Sequence, residues 1–262
     1  MGSRMEALSR FAELAALPEA DIDLAEAALV IGAAGDPGVQ PSRWLADLDG
    51  LAAGLADLDA LRHRVFDELG FRGDTRTYYD PENSFLHRVI ARRVGIPITL
   101  SLLVIEIGRR AGIPLEAVGM PGHFLVGVPG ERVWLDAFAG GPLLDLAGCE
   151  ARFREATGNG EVAFGPHLLP VVGPYAVLSR MLANLQVVYD LRHSGPDLEW
   201  VARMRLVLPD AAAPEVLALA SALEFQGRFL DAARELENGA PGDPSTADEL
   251  RAAAHRLRSR FN

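Results

Sequence analysis

Between Gly112-Ile113-Pro114 and Ala137 the apolar residues stop recurring every three or four positions and alternate instead, while the chain on either side keeps a helical period. This strand-like island inside a helical sequence restricts the fold more than any other feature. Leu115 to Met120 is predicted as one strand, and Gly122 to Val128 with Glu131 to Ala137 as the arms of a hairpin around Pro129-Gly130. Centred on that pair, the register sets Val128 against Glu131, Val126 against Val133 and His123 against Asp136. Pro-Gly favours a type II turn, so a four-residue loop is the other option, and the same register is expected from it. Directly opposed side chains on one face have Cβ atoms about 4.5–5.5 Å apart. At that distance a carboxylate can fix an imidazole tautomer and raise its basicity, as the orienting acid of a hydrolytic triad does. A satisfied structural contact between two strands would look the same.

On the N-terminal side, Phe11, Leu14, Leu17 and then Ile22, Ala25, Leu29 mark two short amphipathic helices separated by Pro18. Gly32 to Pro41 reads as a turn-rich loop, and a third helix starts with Ser42 as its N-cap. A fourth carries Leu55, Leu58, Leu61, Val65, Phe66 and Leu69 up to Gly70. Phe71 to Asn83, bearing the adjacent Tyr78 and Tyr79, reads as an ordered loop. Ser84 is expected to cap a helix running to about Arg93, and Gly95-Ile96-Pro97 breaks it. A buried helix then runs from Pro97, where the missing N–H costs nothing, to Ala111.

Beyond the hairpin, Asp145 can cap a helix through Arg154, and Thr157 to Gly165 is loop-like. From about Pro170 the pattern is helical throughout, near 174–193, 197–208, 214–226, 228–238 and 246–260. We therefore expect an α+β domain over residues 1–168 and an all-helical one over 169–262. Leu217, Ala220, Leu223, Gly227, Ala232, Ala233 and Leu236 alternate small and large residues as a helix–turn–helix repeat does. Pro209 and Pro241 are separated by nearly the ~34 residues of a tetratricopeptide unit. An ordinary helical bundle is the competing reading.

Composition removes several kinds of chemistry. All 25 basic residues are Arg, so no lysine is present for a Schiff base, a phosphate loop or a general base. The net charge of -11 argues against a nucleic-acid or anionic-membrane partner, because the Coulomb term repels phosphate. The single cysteine, Cys149, can form no internal disulfide, and no Cys/His cluster suggests a metal; neither metal nor cofactor is expected. Met1 to Phe11 carries charges and no signal-peptide core, and Gly95 to Ile105 is about half of the ~20 apolar residues a membrane span requires. A cytoplasmic protein is the expectation.

Cys149 is a poor nucleophile candidate, with no neighbouring cation to lower its pKa, and a buried structural thiol is expected. Glu106 and Arg109, three apart on the buried helix, are expected to pair with each other. Arg92-Arg93 and Arg109-Arg110 read as solvated helix ends.

The run Tyr79-Asp80-Pro81-Glu82-Asn83-Ser84-Phe85-Leu86, followed by Arg92-Arg93-Val94-Gly95-Ile96-Pro97-Ile98-Thr99-Leu100-Ser101-Leu102-Leu103, resembles the SirB-type branch of the transglutaminase-like superfamily. Gly112-Ile113-Pro114-Leu115, Gly119-Met120-Pro121-Gly122-His123-Phe124-Leu125 and Leu135-Asp136-Ala137-Phe138-Ala139-Gly140-Gly141 continue the match in order. The resemblance is specific over residues 65–145, looser over 10–64, and extends to about 240 through Met181, Leu182, Asn184, Leu185 and Tyr189.

It implies a papain-like fold, with a central helix on an antiparallel sheet, followed by a tetratricopeptide-like region. The family cysteine stands at the start of the central helix, and its His and Asp stand on adjacent strands. His123 and Asp136 match the latter two, but the cysteine position falls near Pro97, which has no nucleophilic atom. Thr99 and Ser101 are the nearest hydroxyls. Ser101 is expected to bond back to a carbonyl, whereas Thr99 is within conceivable reach of His123. Tyr79, Asn83, Pro97 and Ser101 are the candidate binding residues. Two functions follow as expectations: a non-catalytic protein or peptide binder without its thiol, or a peptide-amide hydrolase or acyltransferase using His123, Asp136 and a Thr, Ser or water nucleophile.

Overall fold

The computed structural model describes residues 3–158, 162–239 and 244–259. Residues 159–161 of the loop expected after Thr157, Pro241 of the repeat spacing, and the last residue of the 246–260 helix lie outside them. The described chain is mostly helical, with two small sheets.

Four helices come first: α1 (Arg4–Ala15), α2 (Leu24–Gly35), α3 (Pro41–Ala52) and α4 (Leu58–Arg62), the last continuing as a wider π-type turn over His63–Glu68. Ser3, Asp23 and Asp57 cap α1, α2 and α4, each side chain accepting an N–H three residues on. The amphipathic expectation fails for α2. Its residues from Leu24 to Ala34, Glu26 excepted, are all buried, because α1, α3, α5 (Leu86–Arg92) and α8 (Pro174–Leu191) surround it. A helix apolar on all sides belongs in the middle of a core. Ser84 is not the cap of α5 either; it lies in a 3₁₀ turn over Pro81–Ser84 whose start is capped by Asp80, and Phe85 leads into the helix.

The central helix α6 (Pro97–Ala111) starts on proline and is buried along most of its length. It packs against α3 and α5 on one side and, on the other, against a four-stranded antiparallel sheet of β3 (Glu116–Val118), β4 (Leu125–Gly127), β5 (Trp134–Leu135) and β6 (Leu143–Leu144). A separate parallel pair, β1 (Arg72–Gly73) and β2 (Val94–Gly95), ties the Tyr78-Tyr79 loop to the start of α6. Glu106 is buried and pairs with Arg109, as expected, and also with Arg110. The side chain of Arg110 is therefore largely sequestered rather than solvated, and Arg92 likewise meets Glu82.

The hairpin register differs from the expected one. Glu131 N–H donates to the Val128 carbonyl (3.1 Å) and Gly130 has φ 78°, the signature of a type II turn with Pro at its second position. That turn mismatches the twist of a two-residue hairpin, so the loop widens to residues 129–132 and Val128 N–H reaches the Val133 carbonyl. Widening slides the partner strand by two residues: Val126 faces Leu135 and Gly127 faces Trp134. A four-residue loop thus does not preserve the expected register. A slip of two keeps each side chain on its face, so His123 and Asp136 meet diagonally, and the ring of Phe138 lies edge-on to His123 at 6.0 Å. The arms are also shorter than expected, because residues 120–123 form a turn of their own.

After the sheet come α7 (Leu146–Thr157), capped by Asp145, then α8, α9 (Gly195–Leu206), α10 (Ala213–Phe225), α11 (Phe229–Asn238) and α12 (Pro244–Ser259). The main core joins α1–α6 to Val177, Leu178, Met181, Leu182 and Leu185 of α8 and to Trp200, Val201 and Met204 of α9. A second apolar cluster begins at Ala202 and runs through α10, α11 and α12.

Candidate functional site

The turn Met120-Pro121-Gly122-His123 delivers the imidazole. His123 N–H donates to the Met120 carbonyl (3.1 Å), and Gly122 takes φ 75°, a left-handed conformation that glycine adopts without strain. His123 is 4% exposed, and its Nε2 stands 3.0 Å from Asp136 Oδ1. The same carboxylate oxygen accepts the N–H groups of Phe138 and Ala139, both at 3.1 Å, as the chain folds back after Asp136. Arg152 of α7 lies with Nε 2.7 Å from Asp136 Oδ2, an ion pair without the alignment of a hydrogen bond. Burial alone would raise the pKa of Asp136; the His123 hydrogen bond and charge, the Ala139 N–H and the Arg152 charge outweigh it and hold the pKa below the ordinary carboxylate value. With Nε2 facing this anion, Nδ1 is the nitrogen left for a ligand.

Two hollows of about 250 and 440 Å³ meet at this imidazole, sharing Tyr78, Tyr79, Pro97, Gly122 and His123 in their walls. Pro97, at the start of the central helix, thus faces the same cleft as His123. Tyr79, 57% exposed, and Tyr78 form the rim. The first hollow continues along α8 through Arg180, Asn184 and Val187, and the second along α7 through Arg152 and Glu155.

The other candidate residues lie behind the wall. Thr99 is fully buried; its hydroxyl donates to the Asn83 carbonyl (2.7 Å) and accepts the Ile96 N–H (3.2 Å), capping α6. The Ser101 hydroxyl donates to the Phe124 carbonyl (3.3 Å), a carbonyl across the helix–sheet interface rather than one in its own helix. Asn83, also fully buried, donates through Nδ2 to Asp74 Oδ2 (3.0 Å) and to the Thr77 carbonyl (2.8 Å). Asp74 accepts in addition from the Thr77 hydroxyl and from the backbone of Arg76 and Thr77. Burial works against that carboxylate, but these hydrogen bonds prevail and pull its pKa well below the usual range. Asp74 and Asn83 together set the loop that carries the tyrosines.

Cys149 is buried, and burial, with Asp136 and Asp145 adding to it, pushes its thiol up to about 12. It is an inert thiol in the small core between α7 and the sheet. Among the described residues no group of three or more His, Cys, Asp or Glu side chains is placed to hold a metal, and no helix is long and apolar enough to cross a membrane.

Sequence reasoning missed Arg152 and Arg180. Arg152 reaches Asp136 from α7, and Arg180 reaches the Met120 and His123 carbonyls from α8; no local spacing to His123 announces either.

The model of a family described as the transglutaminase-like superfamily matches residues 39–183, more than half of the chain. A UPF0162 protein of Xylella fastidiosa is 42% identical over 135 residues, covering 50% of this chain and 48% of its own. The UPF0162 protein of Pseudomonas aeruginosa is 32% identical over 178 residues, 63% of this chain and 64% of its own. Human F-box only protein 21 is 37% identical over 142 residues, 49% of this chain and 21% of its own. The chain spans about half the length of the first of these relatives.

Proposed function

This chain belongs to the transglutaminase-like superfamily, and on that footing we propose that it is a non-catalytic protein- or peptide-binding protein, of the SirB-type branch, whose cleft at His123 receives the partner. One observation carries the reading: Pro97, which offers no nucleophile, occupies the start of the central helix in the wall that His123 shares. The hydroxyls nearest in sequence, Thr99 and Ser101, spend their protons on the backbone carbonyls of Asn83 and Phe124. The His123–Asp136 pair remains as a buried hydrogen-bonded unit that shapes the cleft floor.

The C-terminal helices serve in this proposal as a tetratricopeptide-like module. In support of it, each of α8 to α12 packs on the next in the chain. The free, buried Cys149 accords with a reducing, cytoplasmic setting.

A second reading, a peptide-amide hydrolase or acyltransferase, draws on the His123–Asp136 bond itself; with the Thr99 hydroxyl buried and committed to the Asn83 carbonyl, its nucleophile would be a bound water. A library of peptide amides incubated with the protein and followed by mass spectrometry separates the two. Retention of peptides without cleavage, deamidation or an acyl adduct is expected. A product that accumulates with time and disappears in His123→Ala overturns the binding-only function.

A further inference from the structure

Arg180 stands apart from the other cation of the cleft. Arg152 has carboxylate partners in Asp136 and Glu155. Arg180, half-buried on α8, has none among the described residues: its Nη1 and Nη2 donate to the carbonyls of Met120 (3.0 Å) and His123 (2.7 Å), and its guanidinium lies 5.3 Å from the centre of the Phe124 ring. Those contacts fix the plane of the group and leave its full charge uncompensated, because a carbonyl supplies only a dipole. Burial pulls the pKa of Arg180 down, and the one group acting the other way is the phenol of Tyr78. Drawing a cation partly out of water without a counter-ion is costly, and arginine keeps its proton, so this geometry favours an anion brought from outside. Among the described residues no carboxylate lines the hollow of Arg180, and Asn184, one helical turn further along the same face, also lines it. A guanidinium beside a carboxamide N–H is a donor set matched to a planar, two-oxygen anion.

We propose that the hollow beside His123 binds a carboxylate carried by a peptide, held between the guanidinium of Arg180 and the side-chain amide of Asn184. This deepens the binding function proposed above and rests on it. The carboxylate is either the C-terminal one of the partner or the side chain of an Asp or Glu, with Tyr78, Tyr79 and Val187 contacting the residues beside it.

Libraries of random octapeptides test this, made with free or amidated C-termini and with or without Asp and Glu. Each is passed over the immobilised full chain, over Asn184→Leu and over Arg180→Gln, with thermal unfolding of each variant measured alongside. Retention that requires a carboxylate and weakens about tenfold in both variants is expected, as for loss of a charge-assisted hydrogen bond. The arm that retains identifies the source, a terminus or a side chain. Asn184→Leu keeps the test decisive if Arg180→Gln loosens the His123 turn. Equal retention of peptides that carry no carboxylate overturns the proposal and leaves the peptide-binding function intact. Retention of no peptide from any library overturns both.

Discussion

His87 on α5 is buried with both ring nitrogens lacking a hydrogen-bond partner, stacked on Phe85 and tilted against Trp44. Asp36 Oδ2, at 3.6 Å from Nε2, is too distant to bond. Burial first, and the charge of Arg88 second, lower the pKa of this imidazole from 6.5 to about 4, with Asp36 opposing. The unfolded chain therefore takes up a proton near pH 6.5 that the folded chain refuses until about pH 4. Stability is expected to fall as pH drops through that window, by about 3 kcal/mol, and to be unaffected by this group above it. Denaturant titrations across the window check the slope, which His87→Phe should flatten. At the same scale, the expected pairing of His123 with Asp136 follows from residue types a short hairpin apart. The place of Arg180 in the cleft is not readable there, since its contacts are backbone carbonyls of a turn far away in the chain.

Between elements, the contact of α2 with α5 depends on two glycines. A Cβ on Gly32 would lie 2.5 Å from His87 Nδ1, and one on Gly35 would lie 2.3 Å from Phe85 Cζ. Both neighbours are rings that cannot bend aside. Gly32→Ala and Gly35→Ala are each expected to cost about 1–3 kcal/mol by overpacking, despite alanine's better helix propensity. In Gly32→Ala/His87→Ala most of that cost should disappear, a coupling that a double-mutant cycle measures directly. In the sequence Gly32 looked like the start of a loop. Its actual role, admitting a ring from a helix more than fifty positions away, has no local signature. The strands were legible through their alternation and α6 through its apolar run after Pro97. The two-residue shift in the hairpin was not, because it turns on the twist of a Pro-Gly turn rather than on which residues alternate.

For the whole molecule, the distribution of apolar contacts sets which fragments stand alone. Val177, Leu178, Met181, Leu182 and Leu185 of α8 are buried in the same core as α2 and α6, and Tyr175 donates its hydroxyl to the Leu17 carbonyl at 2.6 Å. Arg4 of α1 in turn pairs with Asp197 of α9 (3.2 Å). A fragment ending at residue 168 is expected to lack a cooperative thermal transition. One ending after Pro209 should keep it, with the loss confined to the second cluster, as calorimetry of the two fragments would show.

The cover that α8 lays over α2 also has a consequence in time. A ribosome makes the chain from its first residue onward, yet α2 has no cover on one flank until α8 has emerged. For that interval the nascent polypeptide presents a long greasy furrow, so holdase engagement should peak before α8 clears the exit tunnel and fade once α9 has docked.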